Sequence, residues 1–167
     1  TRFTFNNQGQ QLTRTLPLGF GNDGMFGTAD DPAVGQASSL PFTETMQYDA
    51  KGRTILETSF EGVITEYLYD DGFQGTGRLT DKRFYKNQAD YDNALISESQ
   101  TMAYDAFGRE VQVTWNYFGE PGGVSPRSDV WTNEYDQQGR LQSVASPTGS
   151  VFYEYDSIGR QTRVMSR

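Results

Sequence analysis

Short runs of alternating apolar and polar residues, broken by glycine-bearing turns, fill most of the chain and predict β-strands rather than helices. Val151, Tyr153 and Tyr155 fall on one face of such a run, as do Met46 and Tyr48, and Trp131 falls with Tyr135. The pattern predicts about twelve strands, through residues 1–5, 11–16, 42–48, 53–60, 63–69, 78–85, 95–104, 109–117, 130–135, 140–146, 150–155 and 160–166. The alternation is imperfect: counted from Tyr104, Glu110 and Gln112 belong to the tyrosine face and Val111 and Val113 to the other, so both faces read as mixed. The stretch nearest to a helix, 88–99, has no sustained apolar stripe, and the insertion 86–93, whose Tyr91-Asp92 lacks the Gly-Arg of a repeat, reads as a long turn.

The turns between these strands repeat. Tyr48-Asp49-Ala50-Lys51-Gly52-Arg53, Tyr104-Asp105-Ala106-Phe107-Gly108-Arg109, Tyr135-Asp136-Gln137-Gln138-Gly139-Arg140 and Tyr155-Asp156-Ser157-Ile158-Gly159-Arg160 share the pattern Tyr-Asp-x-x-Gly-Arg. Tyr69-Asp70 reaches Gly77-Arg78 only after an insertion, and Phe5-Asn6-Asn7-Gln8-Gly9-Gln10 keeps the aromatic and the glycine but neither charge. Aspartate opens a type I turn by bonding the backbone ahead of it, and glycine closes the turn with positive φ, as in a three-residue hairpin loop with a bulge. In that register Asp49 faces Arg53, and the same holds for Asp105 and Arg109, Asp136 and Arg140, and Asp156 and Arg160. The tyrosine is expected on the face away from this pair, beside the residue after the arginine, as Tyr135 beside Leu141. A turn device explains six copies; a catalytic Tyr-Asp-Arg site would not need repetition.

Tyr135 and Tyr155 are 20 residues apart and Tyr48 and Tyr69 are 21 apart, which is one strand out, a turn and one strand back. Longer intervals elsewhere place insertions near 20–40, 86–94 and 118–129, on far-side loops where function often resides. The chain 1–167 therefore reads as a single array of about six hairpin repeats. With no obvious cap at either end, a fragment or subunit of a longer array is expected, completed by further repeats of the same parent chain or by edge-to-edge self-assembly.

The motif and its spacing resemble the YD-repeat, or Rhs-repeat, family, over nearly the whole chain from Phe5 to about Arg160. The resemblance implies an all-β fold, an open antiparallel sheet that curls or spirals into a hollow shell, as in Tc toxins, polymorphic Rhs toxins, wall-associated proteins and teneurins. It further implies a secreted or cell-surface scaffold around a polypeptide cargo, without enzymatic activity, and with Tyr48, Tyr69, Tyr104, Tyr135 and Tyr155 stacked as a ladder. The segment that ends such shells, with its autoproteolytic aspartates, is not recognisable, nor is an effector domain.

Composition narrows the remaining chemistry. Histidine and cysteine are both absent, which excludes histidine triads, cysteine nucleophiles, imidazole-held zinc and disulfides. A net charge of −8 opposes binding to nucleic acid or anionic membranes, and no apolar run is long enough for a membrane helix. Gly19-Phe20-Gly21-Asn22-Asp23-Gly24 matches a dinucleotide fingerprint in letters only, because no helix pattern follows and Asp23 would meet the phosphates. Asn22, Asp23, Asp30 and Asp31 offer oxygen ligands for calcium, the one cofactor considered, although the blander reading is a solvated acidic loop. Trp115, Tyr117, Phe118 and Trp131 bracket the loop 119–126, where packing beneath the loop competes with stacking on a sugar ring. A carbohydrate-binding or adhesive module is accordingly the alternative function, with a glycan as partner.

Overall fold

In a computed structural model, residues 1–15, 43–72, 75–119 and 126–167 are described. The strands are β1 Arg2–Phe5, β2 Gln11–Thr15, β3 Thr43–Tyr48, β4 Thr54–Thr58, β5 Ile64–Tyr69 and β6 Leu79–Tyr85. After the helix α1, Gln88–Asp92, come β7 Glu98–Tyr104, β8 Glu110–Tyr117, β9 Arg127–Tyr135, β10 Leu141–Ser146, β11 Gly149–Tyr155 and β12 Gln161–Ser166. The fold is all-β, a 12-stranded open sheet whose strand order is the order of the sequence. Sequential hairpins suffice for this topology, because each connection joins strands that are already neighbours. The chain divides into two compact units, one of Thr1–Tyr67 with Phe84–Ile96, the other of Leu68–Arg83 with Ser97–Arg167.

In the first unit β1 to β5 pair antiparallel in succession. The pairing of β3 with β4 shows the register device: Tyr48 faces Thr54 but Gln47 faces Leu56, so Ile55 is an extra residue on the returning strand. At the far side of β4 the turn Ser59-Phe60-Glu61-Gly62 repeats the same hydrogen-bond scheme with serine in place of aspartate: Gly62 N–H donates to Ser59 O at 3.0 Å. Ile64 is 1% exposed and Tyr85 3% exposed, and these are the buried apolar side chains among the described residues.

The helix α1 is a finding the apolar pattern did not predict. Asn87 caps it by accepting a hydrogen bond from Asp90 N–H at 2.9 Å, and Gln88 donates to Asp92 one turn on at 2.8 Å. Five residues need only a cap, so no apolar stripe marks the helix in the sequence. Tyr91 lies in it and meets Tyr85 edge to face at 5.1 Å, and the doublet Tyr91-Asp92 is not a repeat turn.

In the second unit β7 to β12 pair antiparallel in succession. The hairpins at Tyr104, Tyr135 and Tyr155 again carry one extra residue after the turn, namely Val111, Gln142 and Thr162. The extra residue corrects the face assignment made from simple alternation. Tyr104 pairs with Glu110, but Ala103 pairs with Gln112 and Met102 with Val113. Val113, Trp115 and Tyr117 therefore share the tyrosine face, and Gln112 leaves it, because a bulge shifts the period-2 pattern by one.

Candidate functional site

Each clean repeat builds the same turn from its own residues. In the repeat at Tyr135, Asp136 N–H donates to Arg140 O and Gly139 N–H donates to Asp136 O, both at 2.9 Å, and Gly139 has φ of 81°. Asp136 Oδ1 accepts from the backbone N–H of Gln138 and of Arg140, each at 2.9 Å, while Oδ2 takes Arg140 Nε at 2.6 Å. The same bonds recur at Asp49, Asp105 and Asp156. The first copy does this without charge, since Asn6 Oδ1 accepts from Gln8 and Gln10 N–H and its amide donates to Gln10 Oε1 at 2.9 Å.

The four aspartates are held below the usual carboxylate range. For Asp49 the leading cause is the backbone N–H of Arg53, and for Asp156 it is the bond from the Arg160 side chain. At Asp105 and Asp136 desolvation is the largest single effect and pushes upward, but the backbone and guanidinium bonds from Arg109 and Arg140 together outweigh it. A lowered folded-state value means that these bonds stabilise the fold fully above the unfolded aspartate value of about 3.9 and lose that contribution as pH falls through the lower folded value. Urea midpoints are accordingly expected to stay level from neutral pH down to about 5 and to fall below it. Asp136→Asn, which removes one of the four lowered carboxylates, is expected to make the acid limb shallower while the other three keep it.

Contacts between repeats escaped the sequence reading. The tyrosine hydroxyl donates to the backbone carbonyl of the residue after the arginine in the preceding repeat, or after its counterpart Gln10 in the first: Tyr48 to Gln11, Tyr104 to Leu79 and Tyr155 to Leu141 at 2.8 Å, and Tyr135 to Glu110 at 2.9 Å. The arginine of the preceding repeat lies over the same ring, with Arg109 Cζ 4.3 Å from the Tyr135 centroid and Arg140 Cζ 4.6 Å from that of Tyr155. Tyrosine does face the residue after the arginine, as Tyr135 faces Leu141. It is not segregated from the ion pairs, however, because the guanidiniums of Arg109 and Arg140 each bridge their own aspartate and the next ring. Tyrosine rings separated by two strands, roughly 9.6 Å, are too far apart to stack directly, so the ladder alternates arginine with tyrosine. Burial raises the Tyr104 phenol, helped by the Glu110 charge and opposed by Arg78. No positional signal exposes these bonds in one sequence, because partners lie 25 residues apart at Tyr135 and 37 at Tyr48.

The interrupted repeat departs from this scheme. Asp70 N–H still donates to Arg78 O at 2.8 Å and Gly77 keeps φ of 68°, so the hairpin closes around its insertion. The side chains do not pair: Asp70 Oδ2 accepts from Thr76 N–H at 3.1 Å, and Arg78 has no carboxylate partner among the described residues.

Register brings Trp115, Tyr117 and Trp131 to one face, because Trp131 faces Val113 and Arg127 faces Tyr117. Trp115 and Tyr117 have centroids 6.0 Å apart and planes 23° from parallel, and Trp115 Nε1 donates to Glu98 Oε2 at 2.9 Å. Arg127 Cζ caps the Tyr117 ring at 4.4 Å. Phe118 follows the last residue of β8 and is 47% exposed. Asn22, Asp23, Asp30 and Asp31 lie outside the described residues. Among the described residues no group of three or more acidic side chains is placed to hold a metal, and no helix is long and apolar enough to cross a membrane.

Residues 134–165 match the RHS Repeat family, a stretch from the end of β9 into β12 with the Tyr135 and Tyr155 turns. This segment is similar to an RHS repeat. The same paired turn and inter-repeat tyrosine recur at the repeats at Tyr48 and Tyr104, outside the matched residues. The crystal structure of TcdB2-TccC3 superposes with a TM-score of 0.58 at 14% identity, covering 98% of this chain and 7% of that one. The likeness establishes a shared fold, and the chain spans only a small part of the larger protein's length. The structure of TcdB2-TccC3-TEV aligns over 99% of this chain and 9% of its own, at 12% identity and a TM-score of 0.42. No curated protein sequence matches the chain.

Proposed function

We propose that the chain is a wall segment of a secreted or cell-surface RHS-repeat shell, a non-enzymatic scaffold enclosing a polypeptide. The observation that carries this reading is the inter-repeat ladder: the recurring Tyr, Asp, Gly and Arg are committed to closing turns and gripping the neighbouring hairpin. Residues so committed fix spacing between repeats and are not free for chemistry. The partners of this reading are further repeats, in the same parent chain or joined edge to edge, together with the enclosed cargo. Electron microscopy of the native polypeptide carrying this segment, labelled by an antibody to 126–131, tests it. A hollow particle with the label on its wall and a protease-protected cargo is expected; a solid particle, or a cargo digested as fast as free protein, refutes the shell.

The aromatic face supports a second reading, an adhesive glycan-binding surface. Trp115 and Tyr117 offer nearly parallel rings beside the polar groups of Glu98 and Arg127. Saturable glycan binding lost in Trp115→Ala would favour it over simple packing. Calcium at Asn22, Asp23, Asp30 and Asp31 is a separate proposal resting on their oxygen ligands alone, and a calcium titration without heat or thermal stabilisation removes it.

A further inference from the structure

Among the described residues, the interrupted repeat leaves a guanidinium without the carboxylate that its equivalents hold. Arg53, Arg109, Arg140 and Arg160 each pair with the aspartate four residues earlier at 2.6 to 2.7 Å. In the interrupted copy Asp70 lies eight positions before Arg78, and it turns to Thr76 instead. The neighbouring carboxylate, Asp105, is taken by Arg109. Around Arg78 opens a cleft of about 320 Å³, lined also by Asp70, Thr76, Thr80, Met102, Tyr104 and the arginine-paired Asp105. That volume falls in the range of small-molecule sites, about 300–1,000 Å³.

Two of the lining side chains are tethered to the backbone. Tyr104 is tethered through its hydroxyl to Leu79 O at 2.8 Å, and its ring lies 5.6 Å from Arg78 Cζ. Thr80 Oγ1 donates to Leu68 O at 3.3 Å, which leaves its oxygen able to accept. The guanidinium tip occupies the space beside Gly108 that a side chain there would fill. A half-buried guanidinium presents two parallel N–H donors matched to a carboxylate, and such charge-assisted pairs are about twice as strong as neutral hydrogen bonds.

We propose that the cleft at Arg78 binds a carboxylate, which takes the position Asp49, Asp105, Asp136 and Asp156 occupy in the clean repeats, with its carbon body against Met102 and Tyr104. The carboxylate comes either from a free small acid or from a glutamate of a polypeptide. The expected affinity is millimolar, on the order of one ion pair assisted by modest apolar contact.

The test follows the arginine Nε–H resonances of the chain by NMR during titration with N-acetylglycine and, separately, with a capped tripeptide having glutamate at its centre. A saturable shift of the Arg78 resonance with the Arg140 resonance unmoved is expected. Response to N-acetylglycine alone assigns a free acid, response to the tripeptide alone assigns a polypeptide, and response to both assigns the carboxylate irrespective of source. Arg78→Gln should abolish binding. A second variant works by repair: deleting residues 72–75 leaves Tyr69-Asp70-Asp71-Thr76-Gly77-Arg78, the clean motif, which restores the internal pair and should also abolish binding. No saturable shift with either probe, equal shifts at Arg78 and Arg140, or undiminished binding after the deletion overturns the proposal.

Discussion

Gly139→Val is expected to destabilise the chain by roughly 1–3 kcal/mol from backbone strain alone, since a β-branched residue is forced to positive φ. Gly139 has φ of 81°, and a Cβ built there comes within 3.2 Å of Arg109 Nη1. That guanidinium cannot easily retreat. It is bonded to Asp105 and stacked over Tyr135, so the new side chain strains its own turn and loosens the preceding repeat. Gln138→Ala, one position earlier, should stay within about 0.5 kcal/mol, as surface substitutions usually do. Urea denaturation of the two variants beside the parent decides the matter, and equal losses would refute the turn assignment.

Ile64→Ala carries the other large expected effect, about 2–5 kcal/mol, the range for truncating a fully buried isoleucine. Ile64 opens β5 and is 1% exposed, whereas most of its sheet neighbours are only half covered. Among the described residues the first unit encloses two apolar side chains, Ile64 and Tyr85, so Ile64 carries a large share of its apolar burial. Ile158→Ala is the control: at 73% exposure in the Tyr155 turn it has little burial to lose, and a change near zero is expected. A loss at Ile64 no larger than that at Ile158 would show that the first unit derives its stability elsewhere.

The hairpins were legible because their signal is local. Aspartate, glycine and the tyrosine before them lie within six residues, and the turn geometry follows from their individual preferences, so the strands lie within a few residues of the predicted ranges. The face assignment beyond Tyr104 was misread at one residue, Val111, because alternation cannot reveal which strand of a hairpin absorbs the extra position. The helix α1 was missed because a cap, not periodicity, specifies it. The link from Arg109 to Tyr135 was invisible for a different reason: it joins side chains of adjacent repeats, a distance set by strand pairing and not by sequence neighbours. The cleft at Arg78 stands between these cases. The insertion is plain in the sequence, but only coordinates show that the hairpin closes around it while the side-chain pair separates.

The tyrosine hydroxyls end on main-chain oxygens, those of Gln11, Leu79, Glu110 and Leu141, residues with no side-chain chemistry common to all. A docking point that every amino acid supplies imposes no demand on the identity of its neighbour. The side-chain part of the grip, the arginine over the ring, is carried by the repeat motif itself, so a clean unit offers the same partner to either neighbour and suits duplication or excision without compensating changes next door.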